Sequence, residues 1–163
     1  MLALACALAT VIALPAQARD SLGLYGTWGA FRDPLTPRCY AIAMAEPSAK
    51  QRDYQAYASV GTWPRRAVRN QIHFRLSRRV APNRSIVLTI GVQRFTLVGG
   101  GGDAWAANSG DNAAIVAALR SASDMRVSAR DVRGRSFSNF WKLAGAASAM
   151  DAASIGCARQ DQR

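Results

Sequence analysis

Alternation of hydrophobic and polar residues is the main pattern of this chain. It is clearest over residues 71–77, where Ile72, Phe74 and Leu76 alternate with polar side chains. A period of two is typical of a β-strand that buries one face. The segment 38–45 is instead continuously apolar, which is typical of a strand with both faces covered. Similar patterns predict strands at 21–31 (one or two), 54–60 and 124–130.

Residues 85–98 predict a β-hairpin. Ile86, Leu88 and Ile90 form its inward face, and residues 91–94 are the expected turn. The glycine-rich run 99–103, GGGGD, then predicts a flexible hairpin end. A phosphate-binding loop is the alternative, but the glycine spacing fits neither a P-loop nor a dinucleotide fingerprint.

Two segments depart from the alternation and predict helices. Residues 111–119 place Ile115 and Leu119 four positions apart, with Asp111 as the expected N-cap. Residues 137–157 are rich in Gly and Ala, and their apolar positions recur every three or four residues. The expected buried face of this second helix consists of Leu143, Ala147, Met150, Ala153 and Cys157.

Short strands that outnumber the helices predict a mainly β fold of the α+β type. We expect an antiparallel β-sandwich or rolled sheet with two short helices, one of them near the C-terminus. The 163 residues, half of them hydrophobic, are enough for one domain with a substantial core.

The first eighteen residues have the composition of a secretory signal peptide. Residues 1–14 are almost wholly apolar, Pro15 interrupts them, and Ala16-Gln17-Ala18 fits the small-x-small cleavage pattern. The apolar run is shorter than the roughly 20 residues that span a bilayer. We predict a signal peptide at 1–18 and an exported domain at 19–163, periplasmic or secreted; the alternative is a buried N-terminal helix.

Cleavage after residue 18 removes Cys6 and leaves Cys39 and Cys157 in an oxidising compartment. We therefore expect a disulfide between them, with two buried free thiols as the alternative. Two cysteines and a single histidine lack the spacing of a metal site, and no cofactor is predicted.

The 21 basic and 10 acidic residues give a formal net charge of +11. This excess favours acidic partners: an acidic glycan, a lipid head group or an envelope protein. Nucleic acid fits less well, because the chain is expected outside the cytoplasm and its aromatic residues do not alternate with arginine. Ordinary surface charge is the alternative. The predicted polyanion-binding residues are Arg65, Arg66, Arg69, Arg75, Arg79, Arg126 and Arg130.

No cluster in the sequence specifies catalysis. His73 is the only histidine and is expected on the polar face of its strand, and no GxSxG nucleophile motif is present. Trp28 and Trp141 are expected in the core. Trp63 and Trp105 lie beside turn signals and are left open between the core and a carbohydrate-stacking surface.

Several dispersed features point to a family. They are Trp28, Cys39, the segment 90–95, the helix DNAAIVAAL, and LAGAASAM followed by Cys157. Together they resemble the invasion-associated locus B family of exported bacterial proteins, over residues 22–157. The resemblance implies an exported β-rich domain without established enzymatic activity, associated with host-cell invasion in some members.

The function expected from the sequence is therefore non-catalytic binding of an acidic envelope or host component through an arginine-rich face. Two alternatives stay open. One is a small envelope hydrolase or transferase that uses His73, and the other is a structural partner in envelope assembly.

Overall fold

The structure, a computed structural model, describes residues 19–33, 35–49 and 52–158. The predicted signal peptide lies outside these residues. The strands of the described part are β1 (Asp20–Tyr25), β2 (Trp28–Asp33), β3 (Arg38–Met44), β4 (Tyr57–Trp63), β5 (Val68–Val80), β6 (Ile86–Ile90), β7 (Gln93–Ala106), β8 (Asp124–Arg130) and β9 (Ser136–Lys142). The helices are a 3-10 turn at Pro64–Arg66, α1 (Ser109–Leu119) and α2 (Ala146–Ala158).

All nine strands belong to one antiparallel sheet, in the order β1-β2-β3-β4-β5-β7-β6-β8-β9. The order departs from the sequence only at β6 and β7. The long strand β7 pairs with β6 through residues 93–97 and with β5 through residues 101–105. The predicted antiparallel, mainly β fold with two helices is confirmed.

The sheet rolls over so that its last strand packs across its middle. The ring of Trp141 in β9 lies 5.6 Å from that of Phe74 in β5, and its Nε1 donates a hydrogen bond to the carbonyl oxygen of Ala43 in β3. The side-chain oxygen of Asn139 accepts a hydrogen bond of 3.0 Å from the backbone amide of Ser77. One rolled sheet, rather than two separate sheets, therefore encloses the core.

The core lies between the inner face of the sheet and α2. Trp28, Phe74 and Trp141 are fully buried, which confirms the core positions predicted for the two tryptophans. Helix α2 packs on β1, β2, β3 and β4. Met150, Ala153 and Cys157 of its predicted buried face are confirmed. Leu143 is buried but precedes the helix, Ala147 is half-buried, and Ala146 and Ala149 complete the face.

The predicted start of the C-terminal helix is wrong. Residues 137–142 belong to β9, where Phe137, Asn139 and Trp141 point inward and alternate with Ser and Phe side chains. The helix begins only after Gly145, which has a φ of 90°. A Cβ at Gly145 would overlap the carbonyl oxygen of Tyr25, so the chain can make this close turn only with glycine.

The beginning of α1 and the structure of the glycine run also differ from the sequence-based predictions. Helix α1 begins at Ser109, and its N-cap is Asn108, whose Oδ1 accepts a hydrogen bond of 2.8 Å from the amide of Asp111. The glycine run is not a flexible end but part of β7. Gly101, with a φ of 61°, lies where the β5–β7 register shifts, so the run accommodates a bulge.

The predicted disulfide is present. Cys39 in β3 and Cys157 in the last turn of α2 are bonded, with 5.6 Å between their Cα atoms and 118 positions between them in sequence. Both residues are buried in the core cluster. The bond therefore fixes α2 on the inner face of the sheet.

A buried carboxylate joins the ends of β5 and β8. Asp131, which is 4% exposed, accepts hydrogen bonds from the guanidinium groups of Arg78 and Arg135 at 2.8 and 3.0 Å. It also accepts hydrogen bonds of 2.9 Å from the backbone amides of Arg133 and Arg135. Burial alone would raise the pKa of Asp131, but the bonds from Arg135, Arg78 and Arg133 outweigh it and lower this pKa to about 2.

Replacing both Cys39 and Cys157 by Ala should lower the free energy of unfolding by about 4 to 5 kcal/mol, because the unfolded chain regains the entropy that the long loop removes. Urea denaturation of the variant and of the oxidised wild type measures the difference. Reduction of the wild type should reproduce most of the loss. An unchanged unfolding midpoint would contradict the stabilising role of the bond.

Acid should destabilise the fold through Asp131. Its folded pKa of about 2 lies below the ordinary Asp value of about 3.9, so the ionised carboxylate stabilises the fold above about pH 4, and this contribution is lost as the pH falls toward 2. Asp131→Asn should be less stable than wild type at pH 7, and its stability should change less between pH 4 and 2. Asp124→Asn, at an exposed position in β8, is the control; identical pH profiles for wild type and Asp131→Asn would contradict the assignment.

Candidate functional site

The outer face of β3, β4, β5 and β7 carries a groove of about 420 Å³. The strand register aligns its side chains in two rows across the sheet. The first row consists of Ile42, Ser59, His73 and Trp105. The second consists of Tyr40, Gly61 and Gln71. The volume lies within the range of roughly 300 to 1,000 Å³ that is typical of ligand sites.

Small residues form the floor of the groove. Gly61 and Ser59 occupy the centre of the two rows on β4. A Cβ at Gly61 would lie 2.7 Å from the ring of Trp63, so only glycine lets this indole lie across the floor. Strand β4 continues through Trp63, beyond the predicted end of this strand at residue 60, and this places the indole in the groove.

Aromatic rings form the walls of the groove. The imidazole of His73 lies between the ring of Tyr57, at a centroid distance of 5.6 Å, and that of Trp105, at 5.1 Å. Trp105 is 37% exposed, while Tyr57 and Trp63 are half-buried. The two tryptophans whose role was left open from the sequence therefore line a solvent-exposed groove.

His73 is held by a carboxylate that the sequence analysis missed. Its Nε2 lies 2.9 Å from Oδ1 of Asp103, whose other oxygen accepts a hydrogen bond from Nη1 of Arg75. The guanidinium of Arg75 also stacks on the ring of Tyr54, 3.8 Å from its centroid. His73 is thus fixed in one orientation, and Arg75 is an ion-paired residue rather than a free cation.

Two further arginines line the β3 side of the groove. Arg38 stacks 4.7 Å from the ring centroid of Tyr40. Arg38 and Arg19 share one carboxylate, that of Asp33, at 3.6 and 3.7 Å. Two guanidinium groups against one carboxylate leave this edge of the groove with an excess of positive charge.

Three of the predicted binding arginines lie together at the β4–β5 connection. Arg65 and Arg66 follow Trp63 and Pro64 in the 3-10 turn, and Arg69 lies two positions before Gln71 on β5. All three are exposed, and among the described residues none has a carboxylate within ion-pair distance. They form a basic cluster close in sequence to Trp63 and Gln71, two residues that line the groove.

The other predicted arginines lie elsewhere. Arg126 and Arg130 are on the outer face of β8, which β6 and β7 separate from β5. Arg126 stands 5.8 Å above the ring of Phe140, and Arg130 donates a hydrogen bond to the carbonyl oxygen of Gly134. Arg79 is exposed at the far end of β5. The predicted residues therefore form two separate basic regions rather than one face.

No metal-binding group of three or more His, Cys, Asp or Glu side chains occurs in the described part of the chain. Within the same residues, no helix is long and apolar enough to cross a membrane. Comparison of the chain with known protein families, curated proteins and solved structures finds no match.

Proposed function

We propose that this protein is an exported, non-catalytic binding domain whose outer groove takes an acidic saccharide. The observation that carries the proposal is the groove itself: the exposed ring of Trp105 and the half-buried rings of Tyr57 and Trp63 around a floor of Ser59 and Gly61. The C–H faces of a sugar ring pack against aromatic faces, and a floor without large side chains leaves room for the ring.

Polar groups in the groove match the hydroxyl groups of a sugar. The side-chain amide of Gln71 and the hydroxyl of Ser59 line the cavity, and neither side-chain group makes a hydrogen bond to another described residue. An amide donates and accepts hydrogen bonds, and so does a hydroxyl. Both side chains are therefore available to a ligand that offers both kinds of partner.

Charge selects an acidic ligand over a neutral one. Arg19 and Arg38 line the β3 edge of the groove, and the β4–β5 connection adds further exposed arginines at its end. Asp103, the carboxylate beside His73, is neutralised by its bond to Arg75. An anionic group on the ligand thus meets a positive field.

An isolated lipid head group is less well matched, because it offers no ring face to the aromatic walls. Export rests on the predicted signal peptide, and the observed disulfide agrees with it. Membership of the invasion-associated locus B family, and any part in host-cell invasion, stay predictions.

Binding should depend on the aromatic walls. Trp105→Ala and Tyr57→Ala should each weaken binding of an oligogalacturonate by about tenfold or more, since truncating an aromatic anchor removes a large share of binding energy. Isothermal titration measures the affinity. Phe140→Ala, at a 48% exposed aromatic position on β9 away from the groove, is the matched control. Equal affinities for all variants would overturn the proposal.

The charge contribution is tested with two variants of equal net charge. One replaces the basic cluster of the β4–β5 connection, Arg65, Arg66 and Arg69, by Gln. The other replaces three exposed arginines of the β7–β8 region, at Arg94, Arg126 and Arg130. Only the first should weaken oligogalacturonate binding, and a neutral oligosaccharide of equal length should bind wild type less tightly. Equal losses in both variants would mean that general surface charge attracts the ligand.

A second candidate function is supported by the bond between His73 and Asp103. A histidine oriented by a carboxylate at 2.9 Å has the geometry of a general base, and Arg75 fixes that carboxylate in turn. The site would then cleave or transfer the saccharide it binds. Cleavage of the oligosaccharide by wild type that is lost in His73→Gln would replace the binding function by this enzymatic one.

A further inference from the structure

A second cavity, of about 710 Å³, lies between α1 and the beginning of β5. It exists because β5 begins beyond the end of β7: β7 ends at Ala106, whose preceding residue Trp105 pairs with His73. Residues 68–71 of β5 therefore extend past the end of β7. Helix α1 faces this free strand edge across the cavity.

One side chain bridges the cavity and holds its two walls in place. The Oδ1 of Asn112 in α1 accepts a hydrogen bond of 2.9 Å from the amide of Ile72, and its Nδ2 donates one of the same length to the carbonyl oxygen of Asn70. The backbone hydrogen-bonding groups of Asn70 and Ile72 at this strand edge are thus paired with one side-chain amide rather than with a further strand. Hydrogen bonds therefore join the helical wall of the cavity to its strand wall.

The helical wall of the cleft is a stripe of small and apolar side chains. Ala113, Val116 and Ala117 face the cleft at helical spacing, between the N-cap residue Asn108 and Arg120. These three side chains occupy the middle of α1, whose 11 residues span about 16 Å at 1.5 Å per residue, and polar side chains line the cleft on either side of them. An alkyl chain can pack against this apolar patch.

Two arginines that line the cleft lie beside helix α2. Arg120 is bonded to Asp151 of α2 at 2.7 Å, in an exposed ion pair. Arg69 lines a smaller pocket with Ser154, three positions further along α2. Both guanidinium groups are therefore on the α2 side of the cleft, and Arg69 has no carboxylate within ion-pair distance among the described residues. This end of the cleft is complementary to an anionic head group.

We propose that this cleft binds an anionic amphiphile, with the alkyl chain along α1 and the carboxylate or phosphate beside Arg69 and Arg120. The cleft adjoins the groove on the outer face and shares Gln71 and Trp105 with it, but the amphiphile site does not require that the groove bind a saccharide. The head group comes from either of two sources, a fatty acid or a phosphorylated lipid, which offer the same negative charge to the same arginines.

The test uses dodecanoate, dodecyl phosphate and neutral dodecanol, each below its aggregation concentration, titrated into the whole mature chain. Wild type should bind both anionic probes with a stoichiometry of one and dodecanol about tenfold more weakly, which corresponds to about 1.4 kcal/mol. A preference between the two anionic probes identifies the source of the head group. Absence of binding of all three probes overturns the proposal.

Location in the cleft is tested with two matched variants of α1. Ala113 and Ala114 are both exposed on the helix, but only Ala113 lines the cleft. Ala113→Phe should weaken dodecyl phosphate binding by about tenfold or more by filling the cleft, and Ala114→Phe should leave it unchanged. Equal affinities in the two variants would place the probe elsewhere.

The role of charge is tested with Arg69→Gln, which should bring the affinity for dodecyl phosphate down to that for dodecanol. Arg94→Gln, with the same net charge, should have no effect. Circular dichroism of each variant confirms that the fold is retained, so that a loss of binding reports on the cleft. An unchanged affinity in Arg69→Gln would overturn the placement of the head group.

Discussion

The packing of Trp141 against the middle of the sheet is the contact on which the rest of the fold depends. Its indole lies against Phe74 and bonds to the carbonyl oxygen of Ala43, so the last strand of a long sheet is carried back over the first half. With the inner side filled by β9 and α2, the other side of β3, β4 and β5 is left facing solvent. The saccharide groove lies on this outer side.

Strand β5 contributes residues to the core, to the outer groove and to the cleft beside α1. Its inward residues, such as Ile72 and Phe74, are core, and its outward residues, Gln71 and His73, lie in the groove. Its first five residues also form the sheet wall of the cleft under α1. Strand β5 therefore lines both cavities.

Burial along β5 could be predicted from the sequence because alternation directly reports which face of a strand is covered. The disulfide could be predicted because removal of the predicted signal peptide would leave only two cysteines. For residues 137–142 the sequence predicts a helix, since the small and apolar residues that follow them indicate one continuous helical face. Only the tertiary contacts of Asn139 and Trp141 identify the segment as a strand.

The candidate site was harder to predict, because it depends on register. His73 meets Asp103 only through the pairing of β5 with β7, which passes through a bulge in a glycine run. No local sequence pattern predicts the pairing of β5 with β7. The predicted binding arginines are exposed apart from Arg75, but whether Arg75 is free or paired, and whether β8 adjoins β5, are properties of the folded sheet.

Trp105 belongs to the walls of both cavities, together with Gln71. A ligand that fixes the position of this indole in one cavity also affects the shape of the other cavity. If both proposed ligands bind, their affinities are linked through this shared wall, and thermodynamics requires each to alter the other by the same factor. The two proposed sites would then be coupled through one indole.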